Sequence, residues 1–501
     1  MLIRFFVENF LSFKDEVEFS MVAGESDEHS DHIHKVRDMR ILKTGVIFGA
    51  NASGKTNLIK AMSFAQNFIT SGSFETDNLT LTPFLLDSKS ASKPSEFMFE
   101  IQCGVAQCFQ YYFSVDRQRV HRETLYEILA ERTAMIFERE TDSQGHTNVK
   151  IGEVNVLVTN EEDHFDFIRK FGPNELFLTA VNTEGNTGIN VDDDQHDRMG
   201  ENLNGRDARL FIERTPGTTL DLVATSASPK RPEPRIAFLD IIYDWFDRTL
   251  VLVFPDSIPT QGIGLGMIKG EDLERRLKEL IDVFDLGIDG FDLQPIDFNA
   301  ESNKPADLAQ HIQDVIKQIP NDTDQRAVFG RYGNEQYLTV DAASNFSAYK
   351  LVTLHNRPND EHPVPLDLMA ESDGTRRLLM LLPALFRLHS GQSDHVFVID
   401  ELDRSLHTHL TYNVLDQFLT SSGQSRSQLV VTTHDTGLLD FDLLRRDEIW
   451  FIEKDRNSSS TLFSLEEFKL PDNMNIQKGY LGGRFGAIPI LSILHEHMTA
   501  E

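Results

Sequence analysis

Cysteine is nearly absent from this 501-residue chain, with only Cys103 and Cys108. Two thiols cannot staple so long a chain, so no disulfide framework is expected, and their scarcity fits a reducing, cytoplasmic compartment. They sit in a strand-like stretch without neighbouring histidine and read as small buried hydrophobes rather than metal ligands. Long apolar runs are also missing. The longest, Arg377–Leu388, is broken by Pro383 and is too short for a bilayer, which takes about 20 apolar residues, so no membrane partner is expected. The opening residues, MLIRFFVENFLSF, have neither a basic leader nor a small-residue cleavage site, and no signal peptide is expected. Positive charge is scarce: 48 Lys and Arg stand against 79 Asp and Glu, a net charge of −31. Non-specific DNA binding depends on phosphate neutralisation by Lys and Arg, so broad DNA coating is disfavoured while a local basic groove stays open. No heptad pattern persists long enough for coiled-coil arms, and no internal repeat is found.

At 40% hydrophobic and 25% charged, the composition is that of an ordinary globular protein with material for a sizeable core. Strand-like alternation at the start is followed by a polar, histidine-rich turn from Glu28. The apolar run Ile41–Gly49 enters GANASGKT, and a helical pattern follows it. From Glu96 strands return. Residues 183–234 are rich in Gly, Asn and Asp and read as a long surface loop. Residues 236–254, 271–288 and 306–319 read as short amphipathic helices. From about residue 335, strands flanked by helices imply a parallel sheet. The expected organisation is therefore an N-terminal lobe at 1–180, an inserted loop and mainly helical region at 181–334, and a C-terminal lobe at 335–501.

Four motifs carry chemistry. In Gly49-Ala-Asn-Ala-Ser-Gly-Lys-Thr56, glycines let backbone amides turn inward around phosphates. The helix that follows points its positive end at them, Lys55 reaches the terminal oxygens, and the Thr56 hydroxyl ligates Mg²⁺. The apolar strand of His395-Val-Phe-Val-Ile-Asp400-Glu401 ends in two carboxylates, Asp400 for the magnesium shell and Glu401 to polarise an attacking water. The turn Glu371-Ser372-Asp373-Gly374-Thr375-Arg376-Arg377 opens an apolar helix and serves either as an anion site or as a helix cap by Ser372 or Asp373. The strand Leu429–Thr433 ends in His434, placed to meet a terminal phosphate. Arg376 and Arg377 are open to two readings, a trans cation on developing phosphate charge or a surface charge paired with Asp373 or Glu371. His29, His32 and His34 read as loop histidines rather than a metal site. Gly482, Gly483 and Gly486 read as a tight turn packing onto the head.

In order and spacing, these motifs resemble the ABC-type ATPases of the SMC, RecF and OLD-like group. The segments IRFFVENFLSF, GANASGKTNLIKAM, FDLGIDGF, ESDGTRRLLML, VIDELDRSLH and YLGGRFGAIP are similar to the prokaryotic RloA/AbiL-type ATPases, which include the ATPase of the PARIS anti-phage system. The resemblance implies an α/β, ABC-type P-loop head with a mixed sheet, ATP and Mg²⁺ as cofactors, and slow, dimerisation-dependent hydrolysis. It implies a catalytic set of Glu401, Lys55 and His434, with Thr56 and Asp400 on the metal. The nucleotide-binding set is Gly49, Asn51, Ser53, Gly54, Lys55, Thr56, Asn57, Ser372, Asp373, Gly374 and Asp403, with Ser372 and Gly374 completing the site of a second copy. Asp403 and Ser405 would couple the two sites, and Asn9 and Phe10 would lie near the nucleotide. Residues 81–97 are the region in which a Q-loop would fall, but no glutamine is placed there.

Asp373 and Thr375 stand where transporter-type heads carry Gly and Gln, so transporter-like coupling is not implied. The 67 residues after His434 leave little room for an appended Toprim nuclease. The expected function is a sensor and scaffold ATPase of an anti-phage, abortive-infection system. Its partners would be a further copy of itself, a separately encoded toxic effector such as a Toprim-type nuclease, and a phage trigger protein. The alternatives are a RecF/SMC-like repair ATPase, or a nucleotide-switched interaction module.

Overall fold

The computed structural model describes residues 1–72, 75–76, 79–104, 107–130, 132–152, 173–184, 210–211, 237–255, 281, 287–296, 328–329, 336–340, 346–357, 362–379, 381, 394–421, 426–471 and 474–488. The alternation of α and β elements yields an α/β head organised on a six-stranded sheet. Its strands are β1 (Thr44–Phe48), β2 (Leu250–Val253), β3 (Val396–Ile399), β4 (Gln428–Thr433), β5 (Ile449–Lys454) and β6 (Ser460–Ser464), in the spatial order β2-β3-β4-β1-β5-β6. All neighbours pair in parallel except β5 and β6. Both faces of a parallel sheet must be covered, so the middles of its inner strands are apolar runs and polar residues fall at their ends. Every residue of β1, β3 and β4 is buried accordingly.

The two-residue period of a strand sends neighbouring side chains to opposite faces. Ile47, Val396, Val398 and Val430 join one core with Leu58, Ile59, Phe64 and Phe68 of helix α1 (Lys55–Ser71). Val46, Phe48, Phe397, Ile399, Leu429 and Val431 join the other with Val414, Leu415, Phe418 and Leu419 of helix α2 (Thr408–Ser421). Helix α1 is itself sandwiched. Beyond it lies an antiparallel seven-stranded sheet formed by Leu2–Glu8, Val17–Ser20, Ser95–Cys103, Gln107–Val115, Val120–Ile128, Thr133–Thr141 and Thr147–Ile151. Phe64 of α1 meets Phe10 and Phe97 of that lobe with ring centroids 5.4 and 5.3 Å apart. Cys103 and Cys108 lie buried and unbridged on neighbouring strands of the same sheet.

The expected α/β architecture with a mixed sheet is the one found. The stretch 236–254 differs from its helical reading. A helix covers Ala237–Asp244, a π-helical turn covers Trp245–Thr249, and Leu250–Val253 is the edge strand β2 beside β3. The run LVLV is both apolar and rich in β-branching, and it lies in register with the buried Val396–Ile399, where pairing outweighs helical periodicity. Residues 181–334 thus donate a strand to the head. Most of the helical reading at 271–288, all of that at 306–319, and most of the 183–234 loop lie outside the described residues. A smaller sheet joins Gly290–Ile296, Gln336–Val340 and Val364–Asp367 to the central strand Phe346–His355.

One side chain stitches the two large sheets. The fully buried Gln428 amide donates to the Leu2 and Leu42 carbonyls, both at 2.9 Å, and its oxygen accepts from the Leu2 amide at 2.6 Å. Gln428→Leu strands these three backbone groups in a dry interface, and each such loss costs roughly 1–3 kcal/mol. A destabilisation of about 3 kcal/mol is expected in denaturant unfolding, and an unchanged midpoint would show that the stitch contributes nothing.

Candidate functional site

The phosphate loop is shaped by close contacts that only glycine allows. Gly54 has φ +122°, and a Cβ there would lie 2.5 Å from the Ser460 hydroxyl and 3.1 Å from that of Ser12. A Cβ at Gly49 would meet the Ile452 carbonyl at 2.4 Å. Two serines outside the motif hold the loop from behind. Ser460 donates to the Ser53 carbonyl at 2.6 Å and accepts from the Ser12 hydroxyl at 2.8 Å, and Ser12 in turn accepts from the Asn57 amide at 2.8 Å. Asn57 therefore acts as a brace, with its side chain turned towards Ser12. Asn51 is exposed on the loop, Thr56 is half-buried at the start of α1, and the Ser53 hydroxyl is buried without a hydrogen-bond partner.

Lys55 is the first residue of α1 and only 5% exposed. Its ammonium donates to the Gly49 carbonyl at 2.7 Å and the Ala50 carbonyl at 3.0 Å, and lies 3.4 Å from His434 Nδ1. Burial lowers its pKa to about 8, against the upward pull of Asp400, Asp403 and Glu401. Burial, helped by Lys55, also holds His434 below the ordinary imidazole range. A neutral imidazole can accept from the ammonium, so the two groups coexist. The strand end at Asp400 and Glu401, the turn at Asp403 and the end of β4 at His434 thus converge electrostatically on the phosphate loop.

Asp400 sits at the mouth of the sheet because β3 ends there, fully buried. Its Oδ1 accepts from the Thr432 hydroxyl at 2.6 Å, while Oδ2 is buried with no hydrogen-bond partner among the described residues. An orphaned buried carboxylate oxygen is costly unless something charged meets it. Mg²⁺ is a hard cation held through one or two protein oxygens together with substrate phosphates, and Asp400 Oδ2 with the Thr56 hydroxyl fits that description.

Glu401 is half-buried and adopts φ +49°, a left-handed conformation uncommon for a residue with a side chain. It is pinned from both sides. Its amide donates to Thr432 Oγ1 at 2.9 Å, and its carbonyl accepts from the Arg377 guanidinium at 2.9 Å. Asp403 accepts from the Thr433 hydroxyl at 2.8 Å and from the His434 amide at 3.2 Å, tying this turn to the end of β4.

The Ser372–Gly374 turn opens the helical stretch 373–379. Ser372 Oγ accepts from the Thr375 amide at 3.1 Å, which is the helix-cap reading. Ser372 and Asp373 are exposed, and a Cβ on Gly374 would lie 2.8 Å from the Ser405 carbonyl. Among the described residues, no hydrogen bond or ion pair joins Ser372, Asp373 or Gly374 to the phosphate loop of the same chain. Arg376 pairs with Asp373 at the surface. The trans-cation reading fails for Arg377, which is 3% exposed and donates in its own chain to the Asp400 carbonyl at 2.7 Å as well as to that of Glu401. A guanidinium spent beneath the Asp400–Glu401 turn cannot reach a second copy's nucleotide.

Among the described residues, no hydrogen bond joins Asn9 or Phe10 to the phosphate loop. The Asn9 amide donates to the carbonyls of Ser90, Lys93 and Pro94 at 2.8, 2.9 and 3.1 Å, and Phe10 is core. Their segment reaches the loop through Ser12 instead. Residues 81–97 contain no glutamine, and Asn9 staples them to the first strand. Ser12, Ser460 and Thr432 went unmarked in the sequence because each contributes a single hydroxyl whose relevance exists only in the folded contact. Gly482–Gly486 forms a turn on the head as expected, with the Ala487 amide donating to Glu453 at 3.0 Å.

A glycine-rich turn between a buried parallel strand and a helix N-terminus, facing a strand that ends in two acids, defines a P-loop ATPase head. Residues 46–440 match the family described as "AAA domain, putative AbiEii toxin, Type IV TA system", and the chain belongs to that family. No curated protein matches the sequence. Among solved structures, the SMC head domain from Thermotoga maritima is similar at 12% identity and TM-score 0.32, with 94% of this chain and 99% of that chain covered. An Smc head domain with an extended coiled coil, bound to the C-terminal domain of ScpA derived from Pyrococcus furiosus, is similar at 14% identity and TM-score 0.33, with 93% and 97% covered. The recombination mediator protein RecF-ATPrS in the RecFOR pathway is similar at 11% identity and TM-score 0.33, with 92% and 98% covered. At such scores the assignment rests on the family match and the site.

The low Lys55 pKa has a measurable consequence. Below about pH 8 the ammonium is charged before phosphate arrives; above it, phosphate binding must draw a proton onto Lys55. Nucleotide affinity should therefore weaken from pH 7 to pH 9 and be accompanied by proton uptake at the upper end. Calorimetry in buffers of different ionisation enthalpy should detect that uptake, and Lys55→Arg should abolish it. Equal uptake in the variant would sink the assignment.

Proposed function

We propose that the chain binds ATP with Mg²⁺ and hydrolyses it by in-line attack of water on the γ-phosphate. The observation that carries this reading is the convergence of Lys55, Asp400, Glu401, Asp403 and His434, with one buried Asp400 oxygen unpaired. The loop amides and Lys55 hold the phosphates, Thr56 and Asp400 hold the cation, and Glu401 accepts a proton from the water. His434 contacts the terminal phosphate. The cation supplies charge neutralisation at the bridging and terminal oxygens. Catalysis is then mainly electrostatic positioning by groups fixed before the substrate arrives.

Exposure of Ser372 and Asp373, with Gly374 half-buried beside them, supports a head-to-head arrangement in which this turn of one copy closes the nucleotide site of another. Turnover in such an arrangement is slow in the monomer and depends on protein concentration. We further propose a defence role, as the sensor and scaffold ATPase of an abortive-infection system that controls a separately encoded toxic effector. The family's description as a toxin–antitoxin, AbiEii-type group supports this reading. The net charge of −31 suits a basic protein effector better than a DNA substrate.

Glu401→Gln should leave ATP binding intact while lowering turnover about 10²–10⁴-fold. Specific activity of the wild type should rise with protein concentration. Turnover equal in wild type and variant would leave binding without hydrolysis. For the biological role, the chain with its neighbouring genes should protect cells against phage, and Lys55→Ala should remove that protection. Intact protection by the variant, or turnover that depends on added DNA, would count against the defence reading.

A further inference from the structure

The histidine-rich turn that follows the strand Val17–Ser20 gathers three side chains of the kind that ligate metals. Its short 3₁₀ helix, Ser30–His32, docks on the segment that follows His434. His29 Nε2 lies 2.7 Å from the Phe441 carbonyl, which fixes the proton on that nitrogen and leaves Nδ1 as the acceptor. His32 Nδ1 lies 3.1 Å from both oxygens of Glu448, which leaves Nε2 as the acceptor. Glu448 is fully buried and also accepts from the Arg445 amide at 2.8 Å. An imidazole whose far nitrogen is held by a carbonyl or a buried carboxylate is oriented and made more basic, which is how proteins prepare histidine for a metal.

One ligand atom each from His29, Asp31 and His32 lie within 4.8 Å of one another. We propose that these three residues bind a single Zn²⁺, or a divalent ion of similar preference, with solvent in the fourth position. Two imidazoles and one carboxylate suit Zn²⁺ and disfavour Mg²⁺ or Ca²⁺, which take oxygen ligands. Tetrahedral donors about 2.0–2.2 Å from zinc stand roughly 3.4 Å apart, so the three must draw in by about an ångström. Asp31 is exposed and free to turn, while His32 is 4% exposed and fixed. Lys43 interacts with both Asp31 and Glu448 and is the competing cation. The bound ion takes Asp31, and Glu448 continues to balance Lys43. His34 takes no part. The consequence is mechanical: the ion braces the turn against Phe441 and Glu448, and so the chain that leaves the end of β4.

The test uses full-length protein, stripped with chelator and free of nucleotide. Zn²⁺ is titrated calorimetrically, and Co²⁺ is followed through its visible absorption. Wild type should bind one ion per chain with the absorption of a four-coordinate site and a rise in melting temperature. Replacing the two less buried ligands together, His29→Ala with Asp31→Asn, should weaken binding about 10–100-fold and remove the thermal shift, while the metal-free circular dichroism stays unchanged. A second variant, His407→Ala with His409→Ala, removes an exposed pair whose rings stack 5.3 Å apart and should bind as wild type. Absence of saturable uptake, equal affinity in the ligand variant, or loss of the ion in the His407/His409 variant instead would each overturn the proposal.

Discussion

The head depends on how one carboxylate oxygen, Asp400 Oδ2, is held at the end of a buried strand with no hydrogen bond among the described residues. Lys55 and Arg377 interact with this carboxylate electrostatically, and a buried charge is tolerated only where such partners are well placed, so the surrounding structure must over-determine its position. Thr432 does much of this with a single hydroxyl, donating to Asp400 and accepting from the amide of Glu401. That hydroxyl comes from β4, whose parallel register with β3 pairs Val398 with Val430 and Ile399 with Val431, just before the two side chains meet. Sheet register and site geometry are therefore one constraint. A one-residue slip would turn Thr432 to the other face and leave both groups without their partner.

Arg377 completes the restraint from the opposite side. It is buried, and burial together with Arg404 depresses its pKa despite nearby acids. Its hydrogen bonds go to backbone carbonyls of the Asp400–Glu401 turn rather than to a carboxylate. This choice leaves both acids free for chemistry while fixing the backbone that carries them. It also makes the helical stretch behind Ser372 part of the same rigid unit. Gly374 packs against the Ser405 carbonyl, and Asp403 grips the His434 amide. A ligand that moves the exposed Ser372–Gly374 turn must either carry the Asp400–Glu401 turn with it or break these bonds.

What could be read directly from the sequence was the chemistry written in contiguous letters. The phosphate loop, the paired acids and the terminal histidine each sit at the end of an apolar strand, and apolar strands are visible as runs. The strand order was not, because β1 pairs with β4 across a sequence separation that no local pattern reveals. Leu250–Val253 was hidden by the helical run that precedes it. Arg377 was open to two readings, a trans cation or a paired surface charge, and so was Arg376; only the fold separates the surface member of the pair from the buried one. The brace of Ser12 and Ser460 joins residues 448 positions apart, and serine in a turn carries no signal of such a partner.

Lys55 shows how the site can be stable without substrate and still favour it. An ammonium aimed into an open cavity would be poorly solvated, and here the carbonyls of Gly49 and Ala50 take up its donors. Those bonds are between a charge and neutral acceptors, and burial has already eroded the charged form. A phosphate oxygen offers a full negative charge at the same range, so a contact between a charge and a dipole becomes one between opposite charges, whose attraction is stronger away from bulk water. Exchanging carbonyl for phosphate therefore gains energy at Lys55, and the released carbonyls lie on a loop whose far side is already held by Ser460 and Ser12. The loop need not reorganise when the lysine leaves it, so the gain at Lys55 goes into affinity rather than into ordering the backbone.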